Sequence, residues 1–225
     1  MTAPPLKKAY VSWSSGKDAA WSLHQTRLRG LADVVGILTT INQEFNRVAM
    51  HGVRAELVDR QAQALGLPCM KVPLPWPCSN AEYEARMAAA TAQLRAQGVT
   101  HMVFGDLFLE DIRAYREEKM VLAGMTPLFP LWLQDTHKLA QEMLAGGLEA
   151  HLACLDPRKL DPAFAGRRFD PSLLADLPAA VDPCGENGEF HTVVTAGPMF
   201  AAPIPVQPGE IVHRDGFVFA DLIPV

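Results

Sequence analysis

The sequence predicts an α/β protein: a doubly wound parallel sheet, followed by a smaller C-terminal α+β lobe. Three observations predict it. Short β-rich runs alternate with helix-periodic stretches over the first two-thirds of the chain, as in a parallel sheet covered by helices on both faces. Helical patterns end where Gly and Pro follow one another. From about Pro127 the alternation loosens into Pro- and Gly-rich segments and short strands, which places a boundary between two units, 1–130 and 131–225.

Taken in order, residues 9–13 read as the first strand and 19–29 as the first helix. Residues 34–38 read as the second strand. A helix over 54–65 follows, with Ala55, Leu57, Val58, Ala62 and Leu65 on one face, stopped by Gly66 and Pro68. Residues 69–72 give the third strand. Asn80 is placed as the cap of a long Ala-rich helix ending near Gly98, residues 100–104 as the fourth strand, and 111–123 as the next helix. In the second unit, 136–145 reads as a helix, and Val193-Val194, Ile211-Val212 and 217–219 as short strands.

The chain has 225 residues, 49% hydrophobic and 20% charged, enough for one large domain or a core with an appendage. Its formal charge of −5 argues against a general nucleic-acid partner. No apolar run is long enough to span a membrane, and Met1–Lys8 carries no secretory leader pattern, so a cytoplasmic location is expected. Cys69, Cys78, Cys154 and Cys184 form no Cys-x-x-Cys pair and are expected to be reduced structural residues.

Ser14-Ser15-Gly16-Lys17-Asp18 lies between the first strand and the first helix. A helix N-terminus presents unpaired N–H groups and a positive dipole end, which suit a phosphate. Gly16 permits close backbone approach, Ser14 and Ser15 add hydroxyls, and Lys17 adds charge. Asp18 beside them points to a bridging Mg²⁺ or to helix capping. The loop is not a Walker A motif, since Val11 and Asp18 stand where Gly and Ser/Thr are required.

Gly105 and Asp106 end the fourth strand. In a sheet of order 3-2-1-4-5, strands 1 and 4 flank the crevice where ligands bind, so both segments face it. Arg113, on the following helix, is assigned to the same crevice, whereas Glu117 and Glu118 read as a solvated helix face. Residues 182–192 are the densest polar cluster, with Glu186, Glu189 and His191 on a Gly-rich segment read as a tight hairpin turning at Asn187-Gly188. His24, His101 and His137 read as structural. His51 and Arg54, after the second strand, remain open between a structural and a nucleotide-contacting role.

The Ser-x-Gly-Lys-Asp loop resembles the PP-loop of the ATP pyrophosphatases. With Gly-Asp-Leu-Phe-Leu-Glu-Asp-Ile-Arg and Gly-Glu-Asn-Gly-Glu-Phe-His-Thr, in that order, the chain resembles the diphthine–ammonia ligase family over residues 9–195. The resemblance implies a HUP-like fold, ATP and Mg²⁺ as cofactors, and transfer of AMP to a carboxylate that ammonia then converts into an amide. It implies cofactor-binding roles for Ser14, Ser15, Gly16, Lys17, Asp18, Gly105 and Arg113, the first four on the phosphates. Lys17, Asp106, Glu186, Glu189 and His191 would act in catalysis, with Asp18 on Mg²⁺. Ser15 and Ala19 depart from the Ser-Gly-Gly-Lys-Asp-Ser consensus. Asn187 and His191 depart from the ligases' third motif and resemble a bacterial-type branch, which leaves room for a different carboxylate acceptor, small-molecule or protein-borne. A homodimer is compatible with such an enzyme. The alternatives are a nucleotide hydrolase or sensor without ligation, a sulfur-transfer or RNA-modifying PP-loop enzyme, and a non-catalytic nucleotide-binding module.

Overall fold

The computed structural model describes residues 5–225, so part of the leader reading at Met1–Lys8 lies outside the described residues. The chain runs β1 (Lys8–Ser12), α1 (Lys17–Leu28), β2 (Asp33–Asn42), β3 (Arg47–Val48), α2 (Ala55–Leu65), β4 (Cys69–Leu74), α3 (Asn80–Ala96), β5 (His101–Val103), α4 (Glu110–Leu122) and β6 (Thr126–Leu128). It continues through α5 (Thr136–Ala145), β7 (Glu149–Leu155), α6 (Pro171–Asp176), β8 (Phe190–Ala196), β9 (Val206–Arg214) and β10 (Phe217–Pro224).

β1 pairs in parallel with β2 and β5, β2 with β4, and β5 with β6. The parallel strands therefore run β4-β2-β1-β5-β6, the doubly wound order the alternation predicts, with its crevice at the carboxyl ends of β1 and β5. Ile41 and Asn42 of β2 pair with Pro73 and Leu74 of β4 and, antiparallel, with Val48 and Arg47 of β3. β3 thus lies beyond the end of β1 and carries the 49–54 loop to the crevice. The remaining strands form a separate antiparallel sheet of order β8-β7-β10-β9.

Helix boundaries follow local chemistry. α2 buries Leu57, Val58, Gln61, Ala62 and Leu65, and ends at Gly66 in a left-handed turn (φ 65°). The cap of α3 is Ser79 rather than Asn80: its hydroxyl accepts from the Glu82 amide at 3.2 Å, and Asn80 is the first helical residue. One continuous core joins the two sheets, running from Val11 and Trp13 through Leu23 and Leu57 to Leu152, Val194 and Val218. A second core, with Leu38, Leu94, Met102 and Met120, packs α3 and α4 on the other face of the parallel sheet.

A charged tie reinforces that union. Asp221 of β10 accepts from Arg47 Nη1 at 2.8 Å and from Arg54 Nε at 3.0 Å. Burial pushes the Asp221 carboxyl up, but the two guanidinium groups win and hold it down at about 2. Its folded value lies below the unfolded one, so the tie is fully stabilising above about pH 4 and is lost as pH falls through about 2. Asp221→Asn is expected to cost about 1–3 kcal/mol in urea unfolding at pH 7 and almost nothing near pH 2.

Candidate active site

Ser14–Asp18 connects β1 to α1 at the crevice. Ser15 is fully buried with a left-handed φ of 73°, which explains why a glycine is at home there in the PP-loop consensus. Its carbonyl accepts from the Val194 amide at 2.9 Å and from Gln61 Nε2 at 3.1 Å. Gln61 also donates to the Val194 carbonyl at 2.8 Å and accepts from Trp13 Nε1 at 2.8 Å. One buried amide thus fixes the loop to α2 and to β8. The first amide of α1, that of Lys17, is capped by Thr192 Oγ1 at 3.0 Å, a hydroxyl from the second sheet.

Lys17 is 1% exposed. Its ammonium lies 2.9 Å from Asp18 Oδ2, donates to the Cys184 carbonyl, and sits 5.4 Å from the Phe190 ring centre. Burial pulls its pKa down, yet the neighbouring Asp18 outweighs it and the group is held above its ordinary value. Burial likewise raises Asp18, with Lys17 opposing. Asp18 Oδ1 is buried and has no hydrogen-bond partner among the described residues.

Gly105 lets the β5–α4 loop meet the start of α1, because a Cβ there would stand 2.9 Å from the Ala19 nitrogen. Asp106 follows, with Oδ2 2.7 Å from Arg116 Nε in an ion pair that lacks hydrogen-bond alignment. Glu186 Oε1 accepts from the Leu107 amide at 2.7 Å, joining the 182–189 segment to this loop. Burial, opposed by that amide, raises Glu186 to about 7. The raised value means the folded state favours the protonated acid, so its contribution is full below about pH 4.5 and fades as pH rises through about 7. Glu186→Gln is expected to flatten the decline in unfolding free energy, measured with urea, between those pH values, a change of at most about 3 kcal/mol.

These pieces line a cleft of about 200 Å³ that includes Ser14, Gly16, Lys17, Asp18, Gly105, Asp106, Glu186 and His191. Three predicted residues lie outside its lining. Ser15 is turned into the core. Arg113 donates to Glu117 at 2.7 Å and stacks 4.6 Å from Trp132, while Arg116, one helical turn further on, faces the cleft and stacks on Phe104. Glu189 is 3% exposed and accepts from the Asp182 amide at 3.1 Å and Asn187 Nδ2 at 3.2 Å, holding the segment from inside. That segment is a chain of turns before β8 rather than a hairpin, since β8 pairs with β7.

His51, from the loop after β3, joins the cleft and stacks on His191 with ring centres 4.3 Å apart. Burial and Lys17 hold His191 down at about 4, with Glu189 opposing. Burial and His191 hold His51 well below its usual value. Cys184 is buried and its thiol is pushed up by burial, unlike a reactive thiolate. The four cysteines are free. A larger apolar cleft of about 630 Å³ between α3, α4 and the sheet adjoins the first, sharing Ser12, Phe104 and Arg116. No helix among the described residues is long and apolar enough to cross a membrane.

A doubly wound sheet with a Ser-x-Gly-Lys-Asp turn at its switch point defines an ATP-binding α/β enzyme of the PP-loop class. Residues 7–125 match the family model for the diphthamide synthase N-terminal domain, and 135–221 match that for the diphthamide synthase C-terminal domain. The chain belongs to the diphthamide synthase family. It is 24% identical over 228 residues to a diphthine–ammonia ligase of Bos taurus, covering 92% of this chain and 85% of that protein. It is 32% identical over 100 residues to a diphthine–ammonia ligase of Schizosaccharomyces pombe, covering 42% of this chain but 16% of that protein. The chain is an ATP-dependent, amide-forming ligase of this family.

Proposed function

We propose that the protein transfers AMP from ATP to a carboxylate and lets ammonia displace the AMP, as the diphthine–ammonia ligase relatives join ammonia to diphthine. The observation that supports this reading is the convergence of Ser14–Asp18, Gly105-Asp106 and the 184–192 segment on one cleft. A carboxylate is a poor acyl donor because its leaving group would be oxide. When a carboxylate oxygen attacks the α-phosphorus, the bond to the β-phosphate bridge breaks and pyrophosphate leaves. Ammonia then attacks the acyl carbon, AMP departs with that oxygen, and the nitrogen loses a proton. The protein's task is to position and neutralise charge.

Ser14, Gly16 and Lys17, with the N-terminus of α1, hold phosphates in this reading. Arg116 supplies the charge first assigned to Arg113, and the 630 Å³ cleft receives the adenosine. Asp18 suits Mg²⁺ because its Oδ1 is buried and unpartnered. Among the described residues no group of three or more His, Cys, Asp or Glu gathers for a metal, so phosphate and water would supply most ligands. Bound there, Mg²⁺ would neutralise phosphate charge. The lobe 131–225 closes the cleft from the acceptor side, through Glu186 and His191, and the enzyme works in the cytoplasm.

Incubation of the protein with ATP, a cell extract and ¹⁵N-ammonium tests the reading by mass spectrometry. Nitrogen-15 in a new amide that requires ATP is the expected result. Label that appears in no acceptor while ATP is still consumed would favour the hydrolase alternative.

A further inference from the structure

We propose that the acceptor binds in a third, aromatic cleft on the far side of the His51–His191 stack, with Trp76, Phe45 and Arg214 as its principal contacts. The inference rests on the ligation reading and adds the acceptor's entry and chemical class. The cleft, of about 150 Å³, lies between the turn after β2, the loop after β4 and the β9–β10 hairpin.

His191 lines both this cleft and the phosphate cleft. The segment at 50–52 separates them. Met50 and Gly52 border the aromatic cleft, and His51 between them borders the phosphate cleft. The stacked imidazoles are therefore a partition at which a group arriving from one side meets a nucleotide arriving from the other. Two anions that must react gain from such separate approaches, because a shared entry would set them against each other.

The walls carry the marks of a binding site. Phe45 stands edge-on to Trp76, with ring centres 6.1 Å apart. Trp76 is 53% exposed and Met50 74% exposed, large apolar side chains left at the mouth of a small pocket. Arg214 is held between rings, 4.6 Å from the centre of Phe45 and 5.1 Å from that of Phe219. Asp215, which also lines the cleft, forms only a loose ion pair with Arg214 Nε at 3.8 Å, too long for a hydrogen bond, whereas Arg47 and Arg54 are committed to Asp221. Arg214 is thus a cation fixed by stacking, with donors available to an anion. Gly52 keeps the partition tight, since a Cβ there would stand 2.6 Å from the Phe219 ring.

At about 150 Å³ the cleft is roughly a quarter the size of the 630 Å³ apolar one. It admits a side-chain-sized group, so the acceptor presents a carboxylate on a flat, compact body that stacks against Trp76 and Arg214. A free metabolite and a modified protein side chain share that chemistry.

The first test is 4-fluorophenylacetate binding, followed by ¹⁹F NMR, to the wild type and to the Trp76→Ala and Arg214→Gln variants. About 11 heavy atoms at roughly 0.3 kcal/mol each predict a millimolar Kd in the wild type. Both variants should weaken it at least tenfold while binding a non-hydrolysable ATP analogue within twofold of wild type. No wild-type binding, equal binding in the variants, or a parallel loss of nucleotide affinity would overturn the proposal. The second test measures AMP release from ATP with ammonium and limiting low-molecular-mass or macromolecular extract fractions. The active fraction identifies the acceptor's source, and the variants should show raised KM for it with little change in kcat. Absence of AMP release in the wild type would count against ligation itself, while the fluorinated probe still decides the cleft.

Discussion

Lys17→Met is expected to lower ATP turnover by roughly 10²–10³-fold or more, the cost of removing one preorganised charge from the proposed phosphate site. Lys17 is almost fully enclosed, so its ammonium is aimed by its surroundings rather than by solvent. The substitution also leaves Asp18 beside an apolar chain and the Cys184 carbonyl without its donor. Some stability is therefore lost, and a fall in activity alone would be ambiguous. The double variant Lys17→Met with Asp18→Asn separates the two effects. It should recover most of the thermal stability, because no charge is left unpaired, and recover none of the turnover. Thermal unfolding alongside steady-state ATP consumption measures both.

Gln61→Leu is expected to destabilise the protein by about 3–5 kcal/mol, a large share of the roughly 5–15 kcal/mol typical of a whole domain. Leucine fills similar space but leaves the Trp13 indole N–H and the Val194 carbonyl without the partner each has in Gln61. Both groups are buried with it. The Ser15 carbonyl keeps the Val194 amide, so the phosphate loop should loosen rather than detach. Urea unfolding reads the stability term. ATP affinity, measured under conditions where the variant is folded, should fall as well. A change below about 1 kcal/mol would mean that the Gln61 bonds add little beyond packing.

The parallel sheet was legible because β1, β2, β4 and β5 are β-rich runs separated by amphipathic helices with Gly and Pro stops. β6 was not, since it has three residues and one is Pro127, which cannot donate to a ladder. β7 was hidden in a stretch that Pro and Gly had marked as irregular, although its pattern of buried residues suits a covered strand. β3 has two residues, too few for any periodicity, yet it is what carries His51 to the cleft.

The candidate site was legible as three motifs and illegible in how its side chains point. Arg113 and Arg116 are three residues apart on α4, and the spacing cannot say which of them faces the crevice and which stacks on Phe129 and Trp132. Glu186 and Glu189 share one polar segment, but its turns direct the first to the Leu107 amide and the second back into the segment. Gln61 gave no signal, because a polar residue on the apolar face of α2 declares its role only when its three partners converge from elsewhere in the chain. Thr192 likewise caps a helix 175 residues before it in sequence.

The most direct measurement of the central claim is the product split of α-labelled ATP, with Mg²⁺, ammonium and a cell extract, in the wild type and in Lys17→Met. The account predicts labelled AMP with pyrophosphate, dependent on extract and lost in the variant. Labelled ADP with inorganic phosphate would contradict it.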